Sequence, residues 1–193
     1  MLIFAIPLMC SSILQLLFNA ADIVVVGKFA GDNSLGAVGS TTALINLLVN
    51  LFMGLSVGAN VLAARDYGGN RKDELSKTVH TSMMLSIISG IILTVVGVLF
   101  SRQILILMKS PDEILPLASL YLKIYFIGMP ASMAYNFGSA ILRSVGDTKR
   151  PLYFLFAAGI VNVILNLIFV IVFNMDVAGV AFATIISQYI SAF

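Results

Sequence analysis

The sequence predicts an all-α polytopic bundle of transmembrane helices, and three observations carry that reading. Of its 193 residues, 60% are hydrophobic and only 10% are charged, against about 25% charged in ordinary globular chains. Mean hydropathy is +1.04, which suits a chain surrounded by lipid rather than water. The apolar residues fall in six runs, most of them near the ~20 residues that a helix needs to cross a hydrocarbon core.

The runs are 2–26, 35–64, 78–100, 114–142, 152–173 and 177–193. The first could pass for a secretory signal, but it has no basic leader and five more apolar runs follow it. Gly27, Gly31, Gly68, Gly69, Pro111 and Pro151 punctuate the junctions. The sixth run stops at Phe193, short of a comfortable crossing. No Pro/Ser-rich linker or soluble insert interrupts the pattern, so 1–193 reads as a single membrane domain of about six helices, the sixth truncated.

Charge sets the expected orientation. The second and fourth connections carry seven basic residues, Arg65, Arg71, Lys72, Lys77, Arg143, Lys149 and Arg150. The opposite side carries three, Lys28, Arg102 and Lys109, while Lys123 lies a turn or two inside the fourth run, where it can snorkel outward. The positive-inside bias places the richer side, and with it the N-terminus, in the cytoplasm of a cell membrane. A net charge of +2 is too small to argue for a nucleic-acid partner.

Several function classes drop out. The single cysteine, Cys10, cannot build a disulfide framework or a thiolate metal site, and His80 is the only histidine. There is no P-loop, GxSxG or HExxH pattern. The reading is therefore not an enzyme, with no cofactor and no resident metal, and an ion gradient is the remaining usual energy source.

Asp22 is the residue from which a function can be argued. It stands in LFNAADIVVVG with no basic neighbour. A carboxylate at the centre of a membrane helix costs roughly 3 kcal/mol on insertion scales, and such acids tend to mark ion or substrate pathways. Ser11, Gln15, Asn19 and Asp22 share one helical face. Polar residues recur on other runs: Thr42, Asn46 and Asn50; Tyr121 and Tyr125, then Ser132, Tyr135 and Asn136; Asn162 and Asn166; Thr184, Gln188 and Ser191.

For any one Asn or Ser, an interhelical hydrogen bond worth ~0.6 kcal/mol explains enough. Five helices each with a polar stripe, plus one acid, favour a shared hydrated cavity. Thr78, Ser82, Ser86, Gly90 and Thr94 on the third run instead make a small-residue face suited to close helix contact. Pro7 and Pro130 lie inside apolar runs, and Pro130, after Gly128, should kink the fourth helix, as a static bend or as a hinge. The nine methionines read as core fillers that would also suit a promiscuous apolar cavity.

Three stretches then carry a resemblance. IPLMCSSILQLLFNAADIVVVGKFAG resembles the first helix of the multidrug and toxic compound extrusion (MATE) transporters. ANVLAARDYGGNRKDELSKTV and LRSVGDTKRPL resemble that family's second and fourth connections. AAGIVNVILNLIFVIVFNMDVAGVAFATIISQ is similar to its fifth helix, short outer loop and sixth helix. The match covers essentially the whole chain.

The resemblance implies a twelve-helix, two-lobe exporter of cationic or amphipathic compounds driven by Na+ or H+ entry, with this chain as the N-terminal lobe. Met1 opens almost directly into helix one and the sixth helix is short, so a fragment is expected, completed by a second six-helix lobe. Asp22 matches the family's helix-one acid, and Pro7 the proline where that helix bends. Tyr121, Asn162 and Thr184 fall beside the family's cation site. Asn166 stands where many members carry a second Asp, which weakens a family-style Na+ site.

The expected function is thus a cation-coupled antiporter lobe exporting drugs and xenobiotics, with Na+ present only as a transported ion. Asp22, Asn162, Asn166, Tyr121 and Thr184 would couple the cation; Gln15, Asn19, Asn46, Asn50, Tyr125 and Gln188 would line the substrate cavity. The competing readings are a lipid-linked precursor flippase, which calls for a strongly cationic cavity, and a non-transporting fragment or assembly subunit.

Overall fold

A computed structural model describes residues 2–192, so Met1 and Phe193, the ends of the expected domain, lie outside the described residues. The described chain is an all-helical bundle. Its helices are α1 (Leu2–Phe29), α2 (Asp32–Gly68), α3 (Lys72–Leu107), α4 (Leu115–Ile127), α5 (Met129–Ser144), α6 (Lys149–Leu167) and α7 (Asp176–Ala192).

The helices overrun the apolar runs. α2 and α3 extend to Gly68 and back to Lys72 respectively, because polar residues that leave the hydrocarbon can still propagate backbone hydrogen bonds. Lys77 and Glu74 pair at 2.9 Å on this extension. What stops a helix here is backbone chemistry. Gly31, at φ 84°, turns the chain between α1 and α2 within two residues, a conformation that a β-carbon disfavours. Gly146 does the same at φ 90° between α5 and α6. Asp147 Oδ1 then accepts from the amides of Lys149 and Arg150 at 3.2 and 3.1 Å, capping α6.

The α2–α3 turn is held by a charge cluster. The Asp66 carboxylate, 2% exposed, accepts from Arg71 at 2.9 Å, Arg65 at 3.3 Å and the Thr78 hydroxyl at 3.0 Å. Thr78 is thus drawn to Asp66, while Ser82, Ser86 and Gly90 on the same face are buried, as the small-residue pattern predicts.

The core is formed mainly by α2, α3, α4, α5 and α7, around Leu122, Phe126, Met129, Met133 and Val180. α1 is peripheral and packs chiefly on α6. Large apolar side chains such as Leu16, Leu47, Leu51, Met84 and Leu99 point outward, a surface that lipid or a second apolar body accommodates. α6 ends in a π-helical turn, Ile168–Val172, where the sequence pattern shows one uninterrupted apolar run.

Candidate functional site

Two close approaches bring α1 and α6 together. The ring of Phe18 occupies the space that a β-carbon on Gly159 would need. One turn further along α1 is Asp22; one and two turns further along α6 are Asn162 and Asn166. The two helices therefore present their polar residues to each other at the height of Asp22.

Asn166, fully buried, donates from Nδ2 to Asp22 Oδ1. The same Nδ2 donates to Asn162 Oδ1 at 3.2 Å. Asn162 in turn donates to Thr184 Oγ1 at 3.5 Å, and Thr184 donates to the Val180 carbonyl at 2.9 Å. This chain of donors links α1, α6 and α7. Asn166 Oδ1 is buried with no hydrogen-bond partner among the described residues, so the side chain that donates to the carboxylate also carries a bare amide oxygen. Both are hard oxygen ligands, the kind that alkali and alkaline-earth cations select.

Asp22 also lines an open-sided cavity of about 290 Å³ walled by α1, α2, α4, α5, α6 and α7. Of the residues expected there, Gln15, Asn19, Asn46, Tyr121, Tyr125, Asn162, Thr184 and Gln188 all line it. The rings of Tyr121 and Tyr125 stack at 6.0 Å between centroids. Asn50 does not reach the lining and is exposed; Val49 and Met53 take that part of the α2 wall. Asn166 lies behind Asp22 and Asn162 rather than on the wall. Ser11 bonds its own helix at the Pro7 carbonyl, 2.9 Å away.

Pro7 and Pro130 differ in their setting. α1 runs unbroken through Pro7, whose missing N–H removes one backbone hydrogen bond from the helix. Pro130 follows the break at Gly128, where the α4–α5 axis bends. Sequence reasoning did not identify Phe18, Gly159 or Asp66. The first two had a readable signal in the small residues Ala157, Ala158 and Gly159, one turn before Asn162.

Among the described residues, the lining holds one carboxylate and no Lys, Arg or His. Among the described residues, no group of three or more His, Cys, Asp or Glu side chains could hold a metal ion. The site's chemistry is that of one negative charge among neutral hydrogen-bonding groups and aromatic faces.

Comparison with known proteins gives a consistent answer. The family model described as MatE matches residues 7–168. The chain is similar to the probable multidrug resistance protein YpnP of Bacillus subtilis, with 31% identity over 191 residues, covering 99% of this chain and 43% of that protein. It is similar to the multidrug export protein MepA of Staphylococcus aureus, with 26% identity over 192 residues, covering 100% of this chain and 43% of that protein. A solved outward-facing conformation of a multidrug resistance MATE family transporter of the MOP superfamily matches with a TM-score of 0.91 and 28% identity, over 98% of this chain and 42% of that one. The chain thus spans less than half the length of the relatives it matches.

Proposed function

Since the chain belongs to the MatE family, we propose that it forms the N-terminal lobe of a cation-coupled antiporter that exports amphipathic or cationic compounds, with Asp22 carrying the coupling charge. The observation that supports this most directly is the lone carboxylate in a neutral cavity. An ionised Asp22 gives the cavity its only formal charge, and that charge attracts a proton, Na+ or an organic cation. Occupation by a coupling ion neutralises Asp22 and changes its preference for water or for burial. Each ligand then shifts the balance between inward- and outward-open states by its differential affinity, and linkage makes the effect reciprocal.

H+ is favoured over Na+ as the coupling ion, because one carboxylate suffices for a proton, whereas a dehydrated Na+ benefits from further charge. Asn162, Asn166, Tyr121 and Thr184 hold or orient Asp22. Gln15, Asn19, Asn46, Tyr125 and Gln188 contact the transported compound, with Pro7 and Pro130 as points of bending. A volume of about 290 Å³ lies at the lower edge of drug-sized sites, ~300–1,000 Å³, as befits a half-site completed by a second six-helix lobe. A lipid-linked precursor flippase is disfavoured, since an anionic headgroup would need basic side chains that the lining does not offer. The seven-to-three basic asymmetry supports a cell-membrane orientation with the N-terminus in the cytoplasm.

Dye efflux from proteoliposomes containing the full-length transporter, under imposed pH or Na+ gradients, tests the reading. Asp22→Asn keeps the size and removes the charge, so it should abolish gradient-driven efflux while leaving the protein folded. Wild-type efflux by this variant under both gradients would show that the carboxylate is not the coupling group.

A further inference from the structure

The α4–α5 bend is where the cavity wall changes direction. Tyr121 and Tyr125 line the cavity before it, and Ser132, Tyr135 and Asn136 line it after. The angle of the bend therefore fixes how far apart these two sets of side chains stand. At the bend, Pro130 lacks the N–H that an unbroken helix would offer to the Phe126 carbonyl four residues earlier. The Gly128 amide turns instead to the Tyr125 carbonyl at 3.0 Å.

A backbone N–H at the end of α4 turns to the Phe126 carbonyl in its place, and a second donor comes from another helix. Thr94 Oγ1 on α3 lies 2.7 Å from the Phe126 carbonyl, and 2.9 Å from the Gly90 carbonyl of its own helix. One hydroxyl proton serves one acceptor well at a time. The Phe126 contact is the shorter of the two and ties α3 to the bend, whereas the Gly90 contact stays within one helix. The contact is possible because α3 comes very close: a β-carbon on Gly90 would fall on the Pro130 backbone, and one on Gly97 would fall in the Phe126 ring. Thr94 sits between these two glycines, at a spacing of four and three residues.

We infer that Thr94 is a positioning residue that clamps the Pro130 bend by donating to Phe126, and so sets the spacing of the two halves of the cavity wall without touching the cavity. The effect on transport rests on the exporter reading; the clamp itself does not. The role differs from generic packing in one respect: Pro130 has no N–H to offer the Phe126 carbonyl, which leaves a lone pair of that oxygen open to the Thr94 hydroxyl. Pro130→Ala restores that amide and should make the hydroxyl redundant.

The test uses the full-length protein in lipid nanodiscs and proteoliposomes, with Thr94→Val, Thr94→Ser, Pro130→Ala and the Thr94→Val/Pro130→Ala pair. Amide hydrogen exchange is followed across residues 122–136, and ethidium efflux is measured as a function of concentration. Thr94→Val should raise exchange around the bend about fivefold, the fold-change of one ordinary hydrogen bond, and raise the ethidium KM severalfold with little change in maximal rate. Thr94→Ser should match the wild type, and Thr94→Val should add nothing in the Pro130→Ala background. Unchanged exchange at the bend in Thr94→Val, or the same increment with and without Pro130, would overturn the clamp. Altered exchange with an unaltered KM would overturn its role in the cavity. A wild-type protein that moves no ethidium would sink the exporter reading, and the exchange measurements would still decide the clamp.

Discussion

The Phe18 ring rests on the bare Cα of Gly159, and this contact sets α1 against α6 so that Asp22 meets Asn166. α1 has few other anchors, since most of its residues are exposed or half-buried. Gly159→Ala should therefore do more than a methyl group usually does. Overpacking of this kind costs about 1–3 kcal/mol, and the relief available is for α1 to move away from α6. The expected outcome is a lower melting temperature and weaker efflux, with Phe18→Leu restoring both in the Gly159→Ala background. If Gly159→Ala behaves like the wild type in melting and efflux, the contact does not set the spacing.

The polar cavity was largely legible in the sequence, and the miss at Asn50 is instructive. Residues spaced four apart advance about 400° around a helix, so each step drifts about 40° from the face it started on. Gln15, Asn19 and Asp22 are spaced four and three, which cancels most of the drift, and all three line the cavity. Thr42, Asn46 and Asn50 are spaced four and four; by Asn50 the drift has carried the side chain off the wall, and Val49 and Met53 continue it. The Asp22–Asn166 contact joins residues 144 apart in the chain, and no periodicity within one helix encodes which helix will face it. The same holds for Thr94 and Phe126: the small-residue face of α3 predicted close contact, but the partner was set by where the fourth helix breaks.

The charge cluster at the α2–α3 turn gives an ordered set of stabilities. Asp66 is buried while Arg65 and Arg71 are 62% and 48% exposed, so the carboxylate depends on its partners more than they depend on it. Arg71→Ala removes the shorter ion pair and should lower the melting temperature more than Arg65→Ala, whose exposed, longer contact contributes little. Thr78→Val deletes one hydrogen bond and should cost about 1 kcal/mol. Thermal unfolding of the three variants in detergent checks the order; an Arg65→Ala that is the most damaging would contradict it.

The proposed topology is checked by labelling. In a background without Cys10, single cysteines at Asn70, in the α2–α3 turn, and at Asp112, before α4, are each exposed. A membrane-impermeant maleimide added to intact cells should modify Asp112→Cys and spare Asn70→Cys, in keeping with the positive-inside bias. Labelling of Asn70→Cys alone would reverse the orientation.

Asn166 offers the sharpest test of which ion couples. Its amide holds Asp22 by a donated N–H and keeps one buried oxygen without a partner among the described residues. Asn166→Ala removes the donor but leaves the carboxylate, so efflux under a pH gradient should weaken without disappearing, a smaller loss than for Asp22→Asn. Asn166→Asp places a second carboxylate at hydrogen-bond distance from the first. Two such groups repel when both are ionised, and the site then holds either a shared proton or a cation between them. Na+, with two anionic oxygens and the Asn162 amide at hand, becomes a better match than in the wild type. Efflux by Asn166→Asp should therefore gain or strengthen a dependence on the Na+ gradient, measured in proteoliposomes at fixed pH. An Asn166→Asp variant driven only by protons, with no response to Na+ at any imposed gradient, would mean that this pair of positions does not choose the coupling ion.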